Sequence, residues 1–512
     1  MKKTKLWLLG ILILATLLRL YHLTAISLWH DEAFSALLIN YSWHEMLYRI
    51  GLDVHPPLYY DLLRLWAYIF GHSLWALRGF SAFFGIATVY MTYLFVKAAF
   101  QRENVALMAA LFMAVSPFQI QYVTEARMYT LGTFLVMAAA YLLVRAFQEQ
   151  KIYLDARNAG TPASPNKLWV FWALFAIATS GMMYTHYYLF FSVFAIALYA
   201  LYFTIKTYRS AWRGYRYALI AYAAVLISYI PWLKTFLFQF HQVQVNYWIP
   251  KINVWSVPLT NWEIIFGGSA DASKQSTDIL LILGCILSLL IIYRIARKEQ
   301  ESSKWLILLG LIVPFIGSLL LSLKQSIFLD RYFLFAGLFY VVMIALFITE
   351  VRTKYLRYIL LIAFVGISLF NYVKAWADMH IETKKGMSGA AQFINDNATS
   401  SNKIFVASSF EFFNFKYYNR TGIKPLLYTP GITRTNELPH FSGTALLNDD
   451  DLVQNFATAA PSGSTVWILW TTAYGGSKPN VPANWTQVDE RGYEDVRPYG
   501  GTWIVDTEYR VN

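Results

Sequence analysis

Long apolar runs separated by short charged segments dominate the first three quarters of the chain. A helix needs roughly 20 residues to cross about 30 Å of hydrocarbon, and backbone within that layer must satisfy its own hydrogen bonds. The pattern therefore predicts eleven transmembrane helices. They are expected near residues 6–23, 77–98, 103–121, 128–147, 168–184, 187–205, 217–236, 277–293, 305–323, 332–350 and 358–375.

One apolar run does not fit this scheme. Residues 58–70 form a run of only 13 residues that includes Asp61 and Arg64. Such a segment is too short to span and is typical of an interfacial or re-entrant helix. We expect it to lie on the outer face, so that residues 24–76 form one long first outer loop. Loops of that length with their own secondary structure are usually functional.

The pattern changes near residue 376. Apolar runs shorten to five or six residues at 403–408, 465–470 and 501–506, and turn residues such as Pro430-Gly431 separate them. Short runs bounded by turns are typical of strands, and the aromatic-rich segment 411–419 between the first two runs is compatible with a helix. The sequence therefore predicts two parts, a transmembrane domain over 1–375 and a soluble α/β domain over 376–512.

Composition supports a membrane protein and excludes a soluble one. Of 512 residues, 57% are hydrophobic and only 14% are charged, whereas a soluble domain carries about 25% charged residues. The net charge of +12 alone would also suit nucleic-acid binding. A single cysteine, Cys285, excludes an intramolecular disulfide.

The positions of the basic residues decide the meaning of the charge. With the amino terminus in the cytoplasm, the inner segments hold twenty Lys and Arg residues and the outer segments up to residue 375 hold nine. Cytoplasmic loops normally carry this excess. We therefore expect a multi-pass protein of the inner (plasma) membrane, with residues 376–512 outside the cytoplasm and with no nucleic-acid partner.

Candidate chemistry begins with two adjacent acids, Asp31 and Glu32, directly after the first predicted span. Carboxylates at a membrane surface are costly to desolvate and are often functional. A solvated loop or a helix cap would explain them equally well. His55, before Pro56-Pro57 in the same loop, could bind a phosphate or a metal, or could cap the helix that follows.

Basic residues on the outer side run against the positive-inside bias and so call for a specific partner. Arg127 lies between two apolar blocks beside Glu125, and Arg331 follows a loop that contains Lys324. Arginine is suited to bidentate recognition of phosphate. The alternative is an ordinary interfacial anchor, with arginine snorkelling and tyrosine in the aromatic belt. A lipid phosphate would be a suitable partner.

These clusters together carry a resemblance. In chain order they are Arg19-x-Tyr21, Leu28-Trp29-His30-Asp31-Glu32-Ala33, His55-Pro56-Pro57-Leu58-Tyr59-Tyr60 and Glu125-Ala126-Arg127-Met128-Tyr129. The set resembles glycosyltransferase family 39, which is related to the protein O-mannosyltransferases and the lipid A aminoarabinose transferases and has the GT-C fold. The resemblance is clearest over residues 1–135, extends to Arg331-Tyr332, and does not reach beyond residue 376.

The resemblance implies an enzyme that takes a sugar from a polyprenyl-phosphate carrier at the outer membrane face. The essential acid of such enzymes corresponds to Asp31 and the next acid to Glu32. Arg127, and less closely Arg331, correspond to ligands of the carrier phosphate. The remaining motif residues are expected to assist as phosphate contacts or supports; they are His55, Lys324, Glu125, Tyr59, Tyr129 and Tyr332. Many relatives have lysine where this chain has His55, so a phosphate contact there would depend on protonation.

The chemistry fits these residue types. An acceptor hydroxyl loses a proton as it attacks, which a carboxylate can accept, and the leaving phosphate needs preorganised cations. One base and an arginine clamp would suffice for an inverting single displacement. A divalent cation could bind near Asp31, Glu32 and His55, although they form no recognised metal signature.

Two other functions fit the same pattern less well. A transporter or flippase of lipid-linked sugars would place polar residues near the bilayer midplane and often shows internal repeats. Here the charges gather at the outer ends of spans, and no repeat is visible. A non-catalytic envelope scaffold would rely on the carboxyl-terminal domain. The acceptor could be a glycan, a lipid or a protein. Besides donor and acceptor, the surrounding membrane lipid is an expected partner.

Overall fold

A bundle of long helices is followed by a smaller unit that contains a sheet. The computed structural model describes residues 2–208, 212–245, 248–268, 275–298, 301–496 and 501–512. The helices up to residue 379 are α1 (Lys2–Leu20), α2 (His30–Leu38), α3 (Trp43–Leu52), α4 (Leu58–Phe70), α5 (Leu74–Phe100), α6 (Glu103–Val115), α7 (Pro117–Gln121), α8 (Tyr129–Asn158), α9 (Asn166–Met183), α10 (Leu189–Tyr208), α11 (Trp212–Val245), α12 (Ser256–Phe266), α13 (Gln275–Ala296), α14 (Lys304–Ser322), α15 (Leu334–Thr349) and α16 (Lys354–Met379).

Most of the predicted spans coincide with helices that are suited to a membrane. Within the described ranges, eight helices are long and apolar enough to cross one: α5, α8, α10, α11, α13, α14, α15 with the turn before it, and α16. The bent pair α6–α7 would make nine. Helices α1 and α9 lie where two further spans were predicted but are not among these. A multi-pass architecture is confirmed, and the count of eleven stays a prediction.

The predicted span at 103–121 is broken. Helix α6 ends at Val115, and the chain bends by 53° before the next helical segment. Pro117 has no N–H to donate to the carbonyl oxygen of Met113, so the end of α6 needs another donor. Buried Arg19 provides it, with Nη2 3.0 Å from the oxygen of Met113 and Nη1 2.8 Å from that of Ala114. The bend brings residues 122–128 towards the first outer loop.

The first outer loop contains three helices rather than one. Helix α4 covers the 13 residues for which a helix was predicted. Helices α2 and α3 escaped prediction because each is only about three turns long. Asp31 and Glu32 lie in the first turn of α2, where their negative charges interact favourably with the positive end of the helix dipole. The Ser42 hydroxyl accepts the Glu45 N–H at 3.3 Å and so caps α3.

Burial separates central from peripheral helices. In α15 and the turn before it, 94% of the most apolar 18-residue stretch is buried inside the protein. The corresponding buried shares of α11 and α16 are only 17% and 11%. A helix that is apolar all round lies either in a protein core or in lipid. Helix α15 is therefore the centre of the bundle, and α11 and α16 lie at its periphery with most of their apolar surface exposed.

The carboxyl-terminal unit is an α/β structure. Its elements are α17 (Gly386–Asn397), β1 (Lys403–Val406), α18 (Ser409–Tyr418), β2 (Leu426–Tyr428), β3 (Leu452–Val453), α19 (Phe456–Ala459), β4 (Thr465–Thr471), β5 (Trp485–Asp495) and β6 (Thr502–Val511). The sheet order is β3-β2-β1-β4-β6-β5, parallel from β3 to β4 and antiparallel beyond. The predicted apolar runs become β1, β4 and β6, and the aromatic-rich segment becomes α18, which confirms those predictions.

This unit packs directly on the first outer loop. Phe412 and Phe413 of α18 belong to the same hydrophobic cluster as Phe34 of α2. The backbone N–H of Leu28 donates to the Tyr418 hydroxyl at 3.0 Å. The two parts predicted from the sequence therefore share a core at their junction.

Candidate active site

A cavity of about 210 Å³ lies where the first outer loop, the bend after α7 and the carboxyl-terminal unit meet. Its walls come from the start of α2, the loop before α4, residues 127–129, Trp248, residues 331–332, and three segments beyond residue 409. The broken span, the outer loop and the sheet unit thus each contribute a wall.

Asp31 faces two arginines in this cavity. Its Oδ2 lies 3.9 Å from Nη2 of Arg127 and 3.6 Å from Nη1 of Arg331. Its side chain is 30% exposed, whereas that of Arg127 is 3% exposed. Burial raises the pKa of Asp31, but the nearby charges, first among them Arg127 and Arg331, outweigh burial and hold the pKa below its usual range. Asp31 is therefore ionised at neutral pH.

Arg127 is held by several partners. Its Nη1 donates to the backbone oxygen of Asp31 at 3.2 Å and to the Tyr60 hydroxyl at 3.3 Å. Its Nη2 lies 3.2 Å from Nε2 of His55. The buried Nε has no hydrogen-bond partner among the described residues. An unsatisfied donor on a buried charged group is costly.

His55 is oriented by a second acid, Asp53. Its Nδ1 lies 2.9 Å from Oδ2 of Asp53, and its Nε2 faces Arg127, which can only donate. This geometry lets Nε2 accept from Arg127 while the Nδ1 N–H donates to Asp53. Burial raises the pKa of Asp53, and its hydrogen bond with His55 and the nearby charges outweigh burial and lower it.

Glu32 does not line the cavity. Both of its oxygens bind Arg78, at 2.8 and 2.7 Å, and both side chains are fully buried. The Ala126 N–H also donates to Glu32 at 2.8 Å. Arg78 further donates to the backbone oxygens of Leu23 and Ile26. This group joins α2, α5 and the bend after α7.

The other predicted residues fall into three groups. Tyr129 and Tyr332 line the cavity, and the Tyr129 hydroxyl lies 3.5 Å from Nη1 of Arg331. Glu125 lines a second cavity instead, and Tyr59 is fully buried beside Tyr60. Lys324 is exposed and lines neither cavity. The structure therefore does not bring Lys324 to the site.

The second cavity is larger, about 720 Å³, and lies between α7, α12, α13 and α16. It shares Trp29 and Arg331 with the smaller cavity. Two ligands could therefore reach Arg331 from different directions.

A metal site at Asp31, Glu32 and His55 does not fit the arrangement. In the parts of the chain that the structure covers, no three His, Cys, Asp or Glu side chains are placed to hold an ion. Glu32 is engaged by Arg78, and both nitrogens of His55 face protein partners.

Several site residues were missed from the sequence. Arg78 could have been recognised by the same signal as Arg127, a basic residue on the side predicted to be outside. Asp53 lies two residues before His55 in the same loop motif, in which the sequence pattern points only to the histidine. Phe441 and Tyr474 line the cavity beside Phe410, and no local signal marks either of these two residues.

Comparison with known proteins supports the resemblance seen in the motifs. A family model described as dolichyl-phosphate-mannose-protein mannosyltransferase matches residues 54–157. ArnT from Cupriavidus metallidurans in the apo state aligns over 98% of this chain and 97% of that chain, with a TM-score of 0.61 and 11% identity. This chain has the GT-C fold.

Further structures agree with the GT-C fold. ArnT bound to undecaprenyl phosphate aligns over 98% of both chains, with a TM-score of 0.56 and 10% identity. The oligosaccharyltransferase AglB from Archaeoglobus fulgidus, in complex with an inhibitory peptide and a dolichol-phosphate, aligns over 91% of this chain and 69% of that chain, with a TM-score of 0.52 and 13% identity.

A partial match is found with the protein O-mannosyltransferase Pmt1-Pmt2 complex of S. cerevisiae bound to the sugar donor. It covers 47% of this chain and 34% of that chain, with a TM-score of 0.37 and 20% identity. No curated protein matches the sequence significantly.

Proposed function

We propose that this GT-C chain is a membrane glycosyltransferase that moves a sugar from a polyprenyl-phosphate carrier to an acceptor hydroxyl. The observation that carries the proposal is one ionised carboxylate, Asp31, within 4 Å of two arginines in a cavity at the end of the helix bundle. The ArnT and AglB structures, which hold undecaprenyl phosphate and a dolichol-phosphate, support this class of carrier.

The arginines would bind the carrier phosphate. Charge on the bridging oxygen grows as the bond to the sugar breaks, and fixed cations in a partly desolvated site stabilise that charge. Arg127 is held rigidly by Tyr60 and the backbone of α2, so its position requires little reorganisation. Arg331, which lines both cavities, would approach the phosphate from the side that the cavities share.

Asp31 would act as the general base. Without donor, the two arginines lower its pKa and make it a weak base. A phosphate between the arginines brings negative charge next to Asp31, and a nearby like charge raises a carboxylate pKa. Donor binding would thus shift Asp31 towards the pKa range of an effective base, which links deprotonation of the acceptor to the presence of the donor.

The partners of the other acids support a single displacement with inversion. Glu32 is paired with Arg78, and Asp53 is hydrogen-bonded to His55, so neither is free to attack the sugar as a second carboxylate. Retaining glycosyl transfer through a covalent intermediate would need such a nucleophile. The two cavities that meet at Arg331 would admit donor and acceptor separately.

In this proposal residues 1–375 carry the reaction and residues 376–512 close the site from outside the cytoplasm. The basic bias of the loops supports that orientation, and the shared hydrophobic cluster supports the closure. Glu32 would position the catalytic groups: its contacts with Arg78 and Ala126 join α2, which carries Asp31, to the segment that carries Arg127.

The test is transfer of labelled sugar from undecaprenyl-phosphate sugars to membrane glycans and lipids by the purified chain. Asp31→Asn should reduce turnover about 100-fold or more, the scale of general base catalysis, and leave binding of undecaprenyl phosphate measurable. Glu45→Gln is the matched control, since Glu45 is an acid of the same outer loop that pairs with Arg49 and lines neither cavity. Normal turnover of Asp31→Asn, or movement of the labelled carrier across vesicle membranes without sugar transfer, would contradict the proposal.

A further inference from the structure

Three aromatic rings beyond residue 376 form one side of the smaller cavity. Phe410 stacks on Tyr474 with ring centroids 4.3 Å apart and planes inclined by 23°. Phe441 lies nearly parallel to Phe410 at 6.4 Å, with planes inclined by 8°. We call Phe410, Phe441 and Tyr474 the aromatic wall. None of the three belongs to the motifs that identified the site.

The aromatic wall lies directly against the residues of the proposed reaction. The ring of His30, next to Asp31 in the chain, contacts Phe410 edge to face at 5.2 Å. Asp31, Asp53 and Arg127 line the same cavity. A ligand between these groups would meet aromatic rings on one side and charged hydrogen-bonding groups on the other.

Tyr474 is held in an unusual backbone conformation. Its φ is +56°, in the left-handed region that residues other than glycine seldom adopt. Such conformations cost free energy and are concentrated at ligand-binding and active sites. The conformation turns the polypeptide between β4 and β5 so that the ring stacks on Phe410 and lines the cavity.

We propose that the aromatic wall is a binding subsite for a pyranose ring. The inference rests on the proposed glycosyltransferase function and adds the group that holds a sugar there. One face of a pyranose presents several C–H bonds, whose positive ends suit the negative face of an aromatic ring. The hydroxyls at the ring edge would meet the charged side of the cavity.

Size and polarity favour a sugar over the isoprenyl chain of the carrier. The cavity volume of about 210 Å³ is below the roughly 300–1,000 Å³ of sites for drug-sized ligands, and so suits one ring beside a phosphate. An apolar chain would also bury Asp31 and Asp53 against hydrocarbon without replacing their hydration. A pyranose would place its C–H bonds against the aromatic wall and its hydroxyls against the charged groups of the cavity.

The sugar could belong to the donor or to the acceptor, and binding measurements separate the two. In the donor arm, affinities are measured for undecaprenyl phosphate and for the same lipid carrying glucose, mannose, galactose, arabinose or N-acetylglucosamine. In the acceptor arm, p-nitrophenyl pyranosides of the same sugars are bound to protein saturated with undecaprenyl phosphate. Phe410→Leu and Tyr474→Leu should each weaken the sugar-dependent binding about fivefold or more in one arm, while bare undecaprenyl phosphate binds within twofold of wild type.

Controls keep loss of the ring separate from loss of folding. Phe410→Tyr retains an aromatic face and should restore most of the affinity. Trp503→Leu removes an exposed ring of the same unit that lines neither cavity and should change nothing. The inference is overturned if neither arm shows sugar-dependent binding, or if that binding survives both leucine variants. If undecaprenyl phosphate itself fails to bind, or binds equally well to Arg127→Gln, the proposed function fails instead.

Discussion

The buried pair of Glu32 and Arg78 offers the sharpest test of how this site is built, because the sequence pattern made Glu32 a catalytic candidate and the structure buries it away from the cavity. Glu32→Gln keeps the shape of the side chain and removes its charge. One amide oxygen can still accept the Ala126 N–H. The amide nitrogen, however, replaces the oxygen that accepts from Nη2 of Arg78 at 2.7 Å.

The expected loss of stability follows from the burial of both partners. Removing one partner of a buried ion pair costs about 3–5 kcal/mol, because the remaining charge is left uncompensated. Arg78 keeps its bonds to the backbone oxygens of Leu23 and Ile26, which favours the lower end of that range. With an unfolding entropy of about 2.1 cal/mol/K per residue, 512 residues give about 1.1 kcal/mol/K, so the melting temperature should fall by roughly 3–5 °C if the chain unfolds in one step.

Thermal unfolding in detergent is monitored as loss of the monodisperse peak in size-exclusion chromatography. Turnover is measured in parallel, well below the melting temperature. Glu32→Gln should be less stable, and its remaining folded fraction should still turn over. Asp31→Asn should show the opposite pattern, near-normal stability with little turnover. If Glu32→Gln melts like the wild type and has lost transfer, Glu32 acts in the reaction and the positioning role is wrong.

Three further outcomes are expected. Arg331→Lys keeps the charge but loses the planar fork, so undecaprenyl phosphate should bind about 10-fold more weakly in a titration, and unchanged affinity would exclude Arg331 from the phosphate site. Burial raises the pKa of Glu411 to about 8, so the folded chain binds this proton more tightly than the unfolded chain does. Wild-type stability should therefore decline as pH rises from about 4.5 to 8. The melting temperature of Glu411→Gln should match that of the wild type at pH 5 and exceed it at pH 8, and equal melting temperatures at pH 8 would contradict the shift. In a Cys285→Ser background, Asn480→Cys should react with an impermeant thiol reagent in intact cells with a permeabilised outer layer, and labelling only after lysis of the cytoplasmic membrane would reverse the orientation.

Local signals in the sequence were enough for the elements that depend on local physics. Helix-length apolar runs predicted the long helices, because a backbone in hydrocarbon must form its hydrogen bonds internally. Short apolar runs between turns marked β1, β4 and β6. The run at 58–70 was identified as a helix of its own because its length and its charges exclude a span. The same logic could not detect the bend after α6, where Arg19 reaches the carbonyl oxygens of Met113 and Ala114.

The sequence also identified the charges at the site but not their partners. Asp31, Arg127 and Arg331 were recognisable because charge is costly beside a membrane and basic residues are rare on the outer side. Only the tertiary structure showed that Glu32 turns away from the cavity and pairs with Arg78. Glu32 and Asp31 point in different directions because adjacent side chains on a helix do not share a face.

The contribution of the carboxyl-terminal unit was decided by tertiary structure alone. Phe410, Phe441 and Tyr474 are far from one another and from Asp31 in the chain, and no spacing rule connects them. They meet because the hydrophobic cluster shared by α18 and α2 places one unit against the other. A sequence specifies helices, strands and costly charges through local and solvent effects, whereas a cavity arises from the packing of distant surfaces.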